Sequence, residues 1–243
     1  MHVRFLGSGD AFGSGGRFQT CMHVRADGSE ALIDCGTTSL VAMKRFGVDP
    51  AGIDLIALSH LHGDHFGGVP FFVLDAQFRK RARPLIVAGP IGTRERVRQA
   101  MEALFPGSST VERRFVVEIV ELTPGVEAKL GAFAVTGHEV VHASGAPPLA
   151  LRLASAGKTV AYSGDTEWTP ALLAVARDAD LFVCEAYSWE RELKYHLSAR
   201  TVLAHRAELG CRRLILTHMS DEVLAHRAEL GVETAEDGLT IAL

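Results

Sequence analysis

No stretch of this 243-residue chain approaches the roughly twenty consecutive apolar residues of a membrane-spanning helix, so no membrane partner is expected. No basic-then-apolar leader precedes the first strand-like residues, which suits a cytoplasmic protein. Cysteine is scarce and scattered, at Cys21, Cys35, Cys184 and Cys211. Without a C-x-x-C pair these read as small buried residues in a reducing compartment, not as a disulfide framework. Excess positive charge is also missing. The 25 Lys and Arg face 29 Asp and Glu, a net charge of −4. That balance argues against extended nucleic-acid binding, whose surfaces are normally basic. Nor is there a long linker or low-complexity tract, so residues 1–243 are expected to form one domain.

What is present is enough apolar residue, 47% of the chain, to bury a sizeable core. Strand-like and helix-like segments alternate, which predicts an α/β fold. Strands are expected at residues 2–6, 20–26, 30–34, 53–58 and 84–88, with helices over 37–46, 69–78 and 92–105. Residues 114–137 carry several short strands around a Pro124-Gly125 turn. Strands at 149–154, 158–162, 180–184, 212–216 and 239–242 follow, with a helix near 169–177 and one on each side of the 212–216 strand.

The segment Ser59-His60-Leu61-His62-Gly63-Asp64-His65-Phe66-Gly67-Gly68 places four potential metal ligands within six residues, with glycines where the backbone must turn. It joins an apolar strand to an apolar helix, so the ligands sit on a loop with rigid supports. Imidazoles and a carboxylate suit zinc best, and also manganese or iron.

With that motif, H-x-H-x-D-H, the chain resembles the metallo-β-lactamase fold hydrolases. Within them it is most similar to the ribonuclease Z-like and cyclic-phosphate phosphodiesterase branch. Supporting segments are Phe5-Leu6-Gly7-Ser8-Gly9, Leu32-Ile33-Asp34-Cys35-Gly36, Tyr162-Ser163-Gly164-Asp165-Thr166 and Leu216-Thr217-His218. The resemblance implies a four-layer αββα sandwich and two divalent ions, with His60, His62 and His142 on one. Asp64, His65 and His218 would hold the other, and Asp165 would bridge them. His138 competes with His142, whose valine-rich approach and small following residues match the family better. Asp34 is a candidate to support a ligating histidine, with an ordinary turn aspartate the equal alternative.

The same resemblance implies hydrolysis by a metal-activated hydroxide, with Asp64, His196 and Glu185 as catalytic residues. His196 would protonate the leaving group with help from Glu185, which points to a phosphodiester. The ribonuclease Z arm, inserted between the third histidine and the bridging aspartate, has no room here, because only residues 143–164 intervene. A small or cyclic phosphodiester is therefore the expected substrate. Lactone, ester or thioester hydrolysis and ribonuclease Z-type tRNA processing are the alternatives. A homodimer is compatible with the resemblance, and the Phe71-Phe72 pair is open between core and interface. The basic run at 79–83 reads as a solvated helix end. A nine-residue segment, Val202–Gly210, recurs unchanged at Val223–Gly231. Both copies read as outer helices ending in glycine, with His205 and His226 as surface or packing residues.

Overall fold

Successive strand residues point to opposite faces. Both faces of most strands here are apolar, so each sheet must be covered on two sides. The computed structural model, which describes residues 1–243, meets this with two seven-stranded sheets stacked face to face. The chain runs β1 (His2–Gly7), β2 (Cys21–Ala26), β3 (Ser29–Ile33), α1 (Ser39–Arg45), β4 (Ile53–Ala57), α2 (Gly63–Phe66), α3 (Val69–Phe78), β5 (Leu85–Gly89), α4 (Thr93–Leu104) and β6 (Val117–Glu121). It continues through β7 (Glu127–Leu130), β8 (Phe133–Glu139), β9 (Leu149–Ser155), β10 (Lys158–Tyr162), α5 (Ala171–Ala176), β11 (Leu181–Glu185) and α6 (Ala199–Ala204). The last elements are β12 (Leu214–Thr217), α7 (Asp221–Ala225), β13 (Glu233–Thr234) and β14 (Thr240–Ala242). The sheet orders are β14-β1-β2-β3-β4-β5-β6 and β13-β12-β11-β10-β9-β8-β7.

Alternation within strands builds the layers. Ala31, Ile33, Leu55 and Ala57 share the central core with Leu151, Leu153, Val160, Tyr162 and Val183 of the second sheet. The intervening residues Leu32 and Ile56 pack instead with Met43 of α1, Phe72 of α3 and Val97 of α4. On the other side Ala161, Phe182, Cys184 and Leu216 pack with Leu172 of α5, Val202 of α6 and Val223 of α7. The result is the four-layer αββα sandwich. Each fully buried Leu, Ile or Phe contributes about 1.5–3 kcal/mol, and a one-residue slip would exchange the two faces.

Several local expectations change in three dimensions. Arg81 is not solvated: it is 5% exposed, and its guanidinium donates to the carbonyls of Pro50, Ala51, Ile53, Arg83 and Pro84. An always-charged five-donor fork can satisfy that many buried acceptors. Phe72 lies in the core and Phe71 packs edge-on against Phe105 at 5.2 Å, so both rings have partners within the chain. All four cysteines are free. No helix is long and apolar enough to cross a membrane.

Candidate metal centre and proton-donor pair

Strands β3, β4 and β5 run parallel, as do β10, β11 and β12. Loops at carboxyl ends of parallel strands are where α/β folds place ligands. Asp34 follows β3, His60 follows β4, Asp165 follows β10, Glu185 ends β11 and His218 follows β12. His142 lies just beyond β8. Stacking the sheets brings all six together with the rest of the histidine motif.

The motif folds as a turn into the single-turn helix α2, which carries Asp64 and His65. Cys35 N donates to His65 O at 2.6 Å and Gly68 N to Cys35 O at 2.8 Å, tying the motif to the end of β3. A side chain at Gly68 would collide with the Gly36 carbonyl, so this close approach requires glycine. Gly164 is left-handed at φ 60°, and a Cβ there would stand 2.7 Å from Leu149 O. Asp34 and His218 also sit in the left-handed region, at φ 58° and 55°. Non-glycine residues hold such angles only when surrounding structure imposes them, and here both flank the centre.

Two donor groups result. The first is His60, His62 and His142, with His142 Nε2 3.1 Å from His62 Nδ1. The second is Asp64, His65, Asp165 and His218, all buried. In it His65 Nε2 lies 3.3 Å from His218 Nε2 and 3.2 Å from Asp64 Oδ2, and His218 Nε2 is 3.3 Å from the same oxygen. Asp165 reaches both groups: Oδ1 is 3.4 Å from His65 Nε2, while Oδ2 is 3.5 Å from His218, 3.8 Å from His60 and 4.0 Å from His142. His138 faces elsewhere on β8 and joins neither group.

Outer contacts orient the rings. Asp34 Oδ2 meets His65 Nδ1 at 2.7 Å, and Ser59 donates to Asp34 through its amide at 2.7 Å and its hydroxyl at 2.8 Å. Asp34 therefore supports a histidine of the motif instead of merely capping a turn. His142 Nδ1 faces the Tyr195 carbonyl at 2.9 Å. Neither Tyr195 nor Ser59 stands out in the sequence, since a backbone carbonyl or lone serine carries no pattern.

A cation fits this donor set. His60 Nε2 and Asp165 Oδ1 are buried without hydrogen-bond partners, a costly state unless something else coordinates them. Burial pushes His60 well below the ordinary histidine value. Burial acts the same way on His218, but the Asp165 carboxylate and the hydrogen bond to Asp64 lift it to about 9. His65 is likewise raised, by Asp165, Asp64 and Asp34 against its burial. Buried carboxylates thus demand positive charge here, which a divalent ion supplies and imidazole and carboxylate donors accept.

Beside these groups, His196 Nδ1 is 3.0 Å from Glu185 Oε2 and 3.9 Å from Asp165 Oδ2. Glu185 is fully buried; Thr166 N donates to its Oε1, and its own amide donates to Ser163 Oγ at 2.9 Å. Burial and the Asp165 charge raise Glu185. Burial lowers His196, but Glu185 outweighs it and the net direction is upward. Both partners shift up, the direction that favours holding a proton between them. Ser198 caps α6 by accepting from Thr201 N at 3.1 Å, anchoring the segment behind His196.

Comparison with known proteins agrees with this geometry. Ribonuclease Z of Methanosarcina acetivorans is 28% identical over 273 aligned residues, which cover 90% of this chain and 88% of that protein. Human tRNase Z, short form, superposes with a TM-score of 0.81 at 23% identity, covering 100% of this chain and 99% of that one. The metallo-β-lactamase fold protein YhfI of Bacillus subtilis gives a TM-score of 0.80 at 20% identity, covering 99% and 98%. Fold and site thus define a metal-dependent hydrolase of the metallo-β-lactamase fold, of ribonuclease Z-like type. Within that class, residues 1–235 match the family model described as Anti-Pycsar protein Apyc1, and the chain belongs to that family.

The relatives also correct one expectation. The acidic balance argued against extended nucleic-acid binding, yet a ribonuclease Z matches 90% of this chain and a tRNase Z matches all of it. Net charge averages over the whole surface, whereas phosphates respond to the local field of a cleft and its cations.

Proposed function

We propose that the protein hydrolyses phosphodiester bonds with two divalent metal ions, zinc in the first instance. His60, His62 and His142 would hold one ion, Asp64, His65 and His218 the other, and Asp165 would serve both. Bound there, the ions supply an acidified water as nucleophile and offset the negative charge that develops on the phosphoryl oxygens. Asp34 keeps His65 turned toward its site. Asp64, whose carboxylate lies against both His65 and His218, would take part in catalysis through the ion it holds with them.

The observation that carries a phosphodiester over an acyl substrate is the Glu185–His196 pair beside Asp165. An alkoxide leaving from phosphorus needs a proton. Glu185 occupies Nδ1 of His196 and favours the imidazolium, which leaves the Nε2 proton as the one to transfer.

The relatives spanning most of the chain support an RNA phosphodiester of the ribonuclease Z kind. A specific feature favours a second reading, a small or cyclic phosphodiester. Residues 143–164 between His142 and Asp165 form only the β9–β10 hairpin and its flanks, with no arm. The alignment to the archaeal ribonuclease Z is longer than this entire chain, so that relative carries residues absent here.

Metal analysis with parallel assays on bis-(p-nitrophenyl) phosphate, a precursor tRNA, a cyclic nucleotide and a lactone tests the proposal. About two zinc ions per chain with phosphodiester turnover are expected. Cleavage of the tRNA or of the cyclic nucleotide selects between the two substrates. Lactone hydrolysis alone would overturn the phosphodiester reading.

A further inference from the structure

The repeated nonapeptide takes no direct part in the centre described above, yet its two copies adopt one local structure. In each, the histidine is the C-cap of a short helix: His205 at φ −95°, ψ 4° and His226 at φ −96°, ψ 10°. In each, imidazole Nδ1 meets the glutamate three residues on, Glu208 at 3.0 Å and Glu229 at 2.9 Å. A left-handed glycine closes each copy, Gly210 at φ 64° and Gly231 at φ 63°.

The chain has two tryptophans, and each lies flat on one of these histidines. Trp168 stacks on His205 with ring centroids 3.8 Å apart and planes 10° apart. Trp189 stacks on His226 at 4.8 Å and 13°. The tryptophans occupy equivalent places in the chain. Trp168 follows Asp165 by three residues on the loop leaving β10, and Trp189 follows Glu185 by four on the loop leaving β11. The Trp189 amide also faces Glu222 of α7 at 3.4 Å.

We propose that the duplicated nonapeptide is a brace used twice: His205 positions Asp165 through Trp168, and His226 positions the Glu185–His196 pair through Trp189. This rests on the metal and proton-donor roles proposed above. Each glutamate fixes its imidazole as a flat platform. A large ring stacked on that platform then pins a loop within three or four residues of a carboxylate whose position matters to fractions of an ångström. Groups that hydrogen-bond metal ligands change metal affinity or activity by about 10- to 100-fold when removed, and the braces, one ring further out, are measured against that scale. His205 and His226 are thus positioning residues.

Four full-length variants test this: His205→Ala, His205→Phe, His226→Ala and His226→Phe. Zinc affinity is read in a metal buffer, leaving-group dependence from an alkyl against a p-nitrophenyl phosphodiester, and loop order from acrylamide quenching of tryptophan. His205→Ala should weaken zinc binding about 10- to 100-fold, and Phe, which keeps the stack, should restore it. His226→Ala should keep its zinc but slow the alkyl diester at least about tenfold more than the activated one, again with rescue by Phe. Quenching should rise in both Ala variants. Unchanged zinc affinity in His205→Ala overturns the first brace, and an unchanged leaving-group ratio in His226→Ala the second. Phe variants as impaired as the Ala variants overturn stacking as the cause. If the wild-type protein cleaves no phosphodiester, the functional reading fails by itself, while zinc affinity still decides the first brace, and unchanged quenching in His226→Ala overturns the second.

Discussion

Asp165 is the side chain on which most of the centre converges, with oxygens 3.4–4.0 Å from five histidines. Asp165→Ala is expected to lose metal and turnover together, measured by elemental analysis and bis-(p-nitrophenyl) phosphate hydrolysis; full metal content in that variant would remove its shared role. His196 answers a different demand. His196→Ala should retain both metals while slowing substrates with poor leaving groups by about 10²–10⁴-fold and activated ones far less. The pH dependence follows from the direction of its shift. With His196 as the proposed proton donor, which works only while protonated, the alkyl-diester rate should fall as pH rises through the His196 pKa. Glu185 holds that pKa above the ordinary histidine value despite burial, so the loss comes at higher pH than for a free imidazole. Glu185→Gln should move the falling limb to lower pH, and a limb that stays in place would assign it to another group.

At the scale of elements, the site depends on how tightly strand ends and motif are drawn together. Gly164 joins β10 to Asp165 in a left-handed turn beneath which Leu149 O leaves no space. Gly164→Ala is expected to cost about 1–3 kcal/mol in backbone strain alone, seen as a lower denaturation midpoint, with metal affinity reduced as Asp165 shifts. Wild-type values for both would show that the turn relaxes. The α3–β5 connection is held by Arg81 in a similar all-or-none way. Its five carbonyl partners lie at residues 50–53, which lead into β4, and at residues 83–84, which lead into β5, so the guanidinium ties the starts of these two neighbouring strands together. Sequence reading took this arginine for a surface residue because a basic run looks the same whether its members face water or backbone carbonyls.

For the whole molecule, a metal that binds only the folded state stabilises it by mass action, about 2.7 kcal/mol at a hundredfold excess over its Kd. Chelation should therefore lower the melting temperature, and the shift should shrink in Asp165→Ala, which has less metal to lose. An equal shift in both proteins would place the stabilising ion elsewhere.

Local order carried a large part of this protein. The α/β alternation and most strand positions are legible because a strand covered on both faces writes an apolar run into consecutive residues. The motif from His60 to His65 is legible because its donors are neighbours in the chain. What tertiary structure decided is every relation between distant segments. Whether Asp34 caps a turn or orients His65, whether Arg81 is solvated or buried, and what His205 and His226 touch all depend on stacking two sheets in one register. His65 and His218 are separated by 153 residues, and no local pattern encodes the 3.3 Å between their nitrogens. Neighbouring residues determine which donors exist; only the packed core, by excluding water and fixing the strand ends, determines which of them meet.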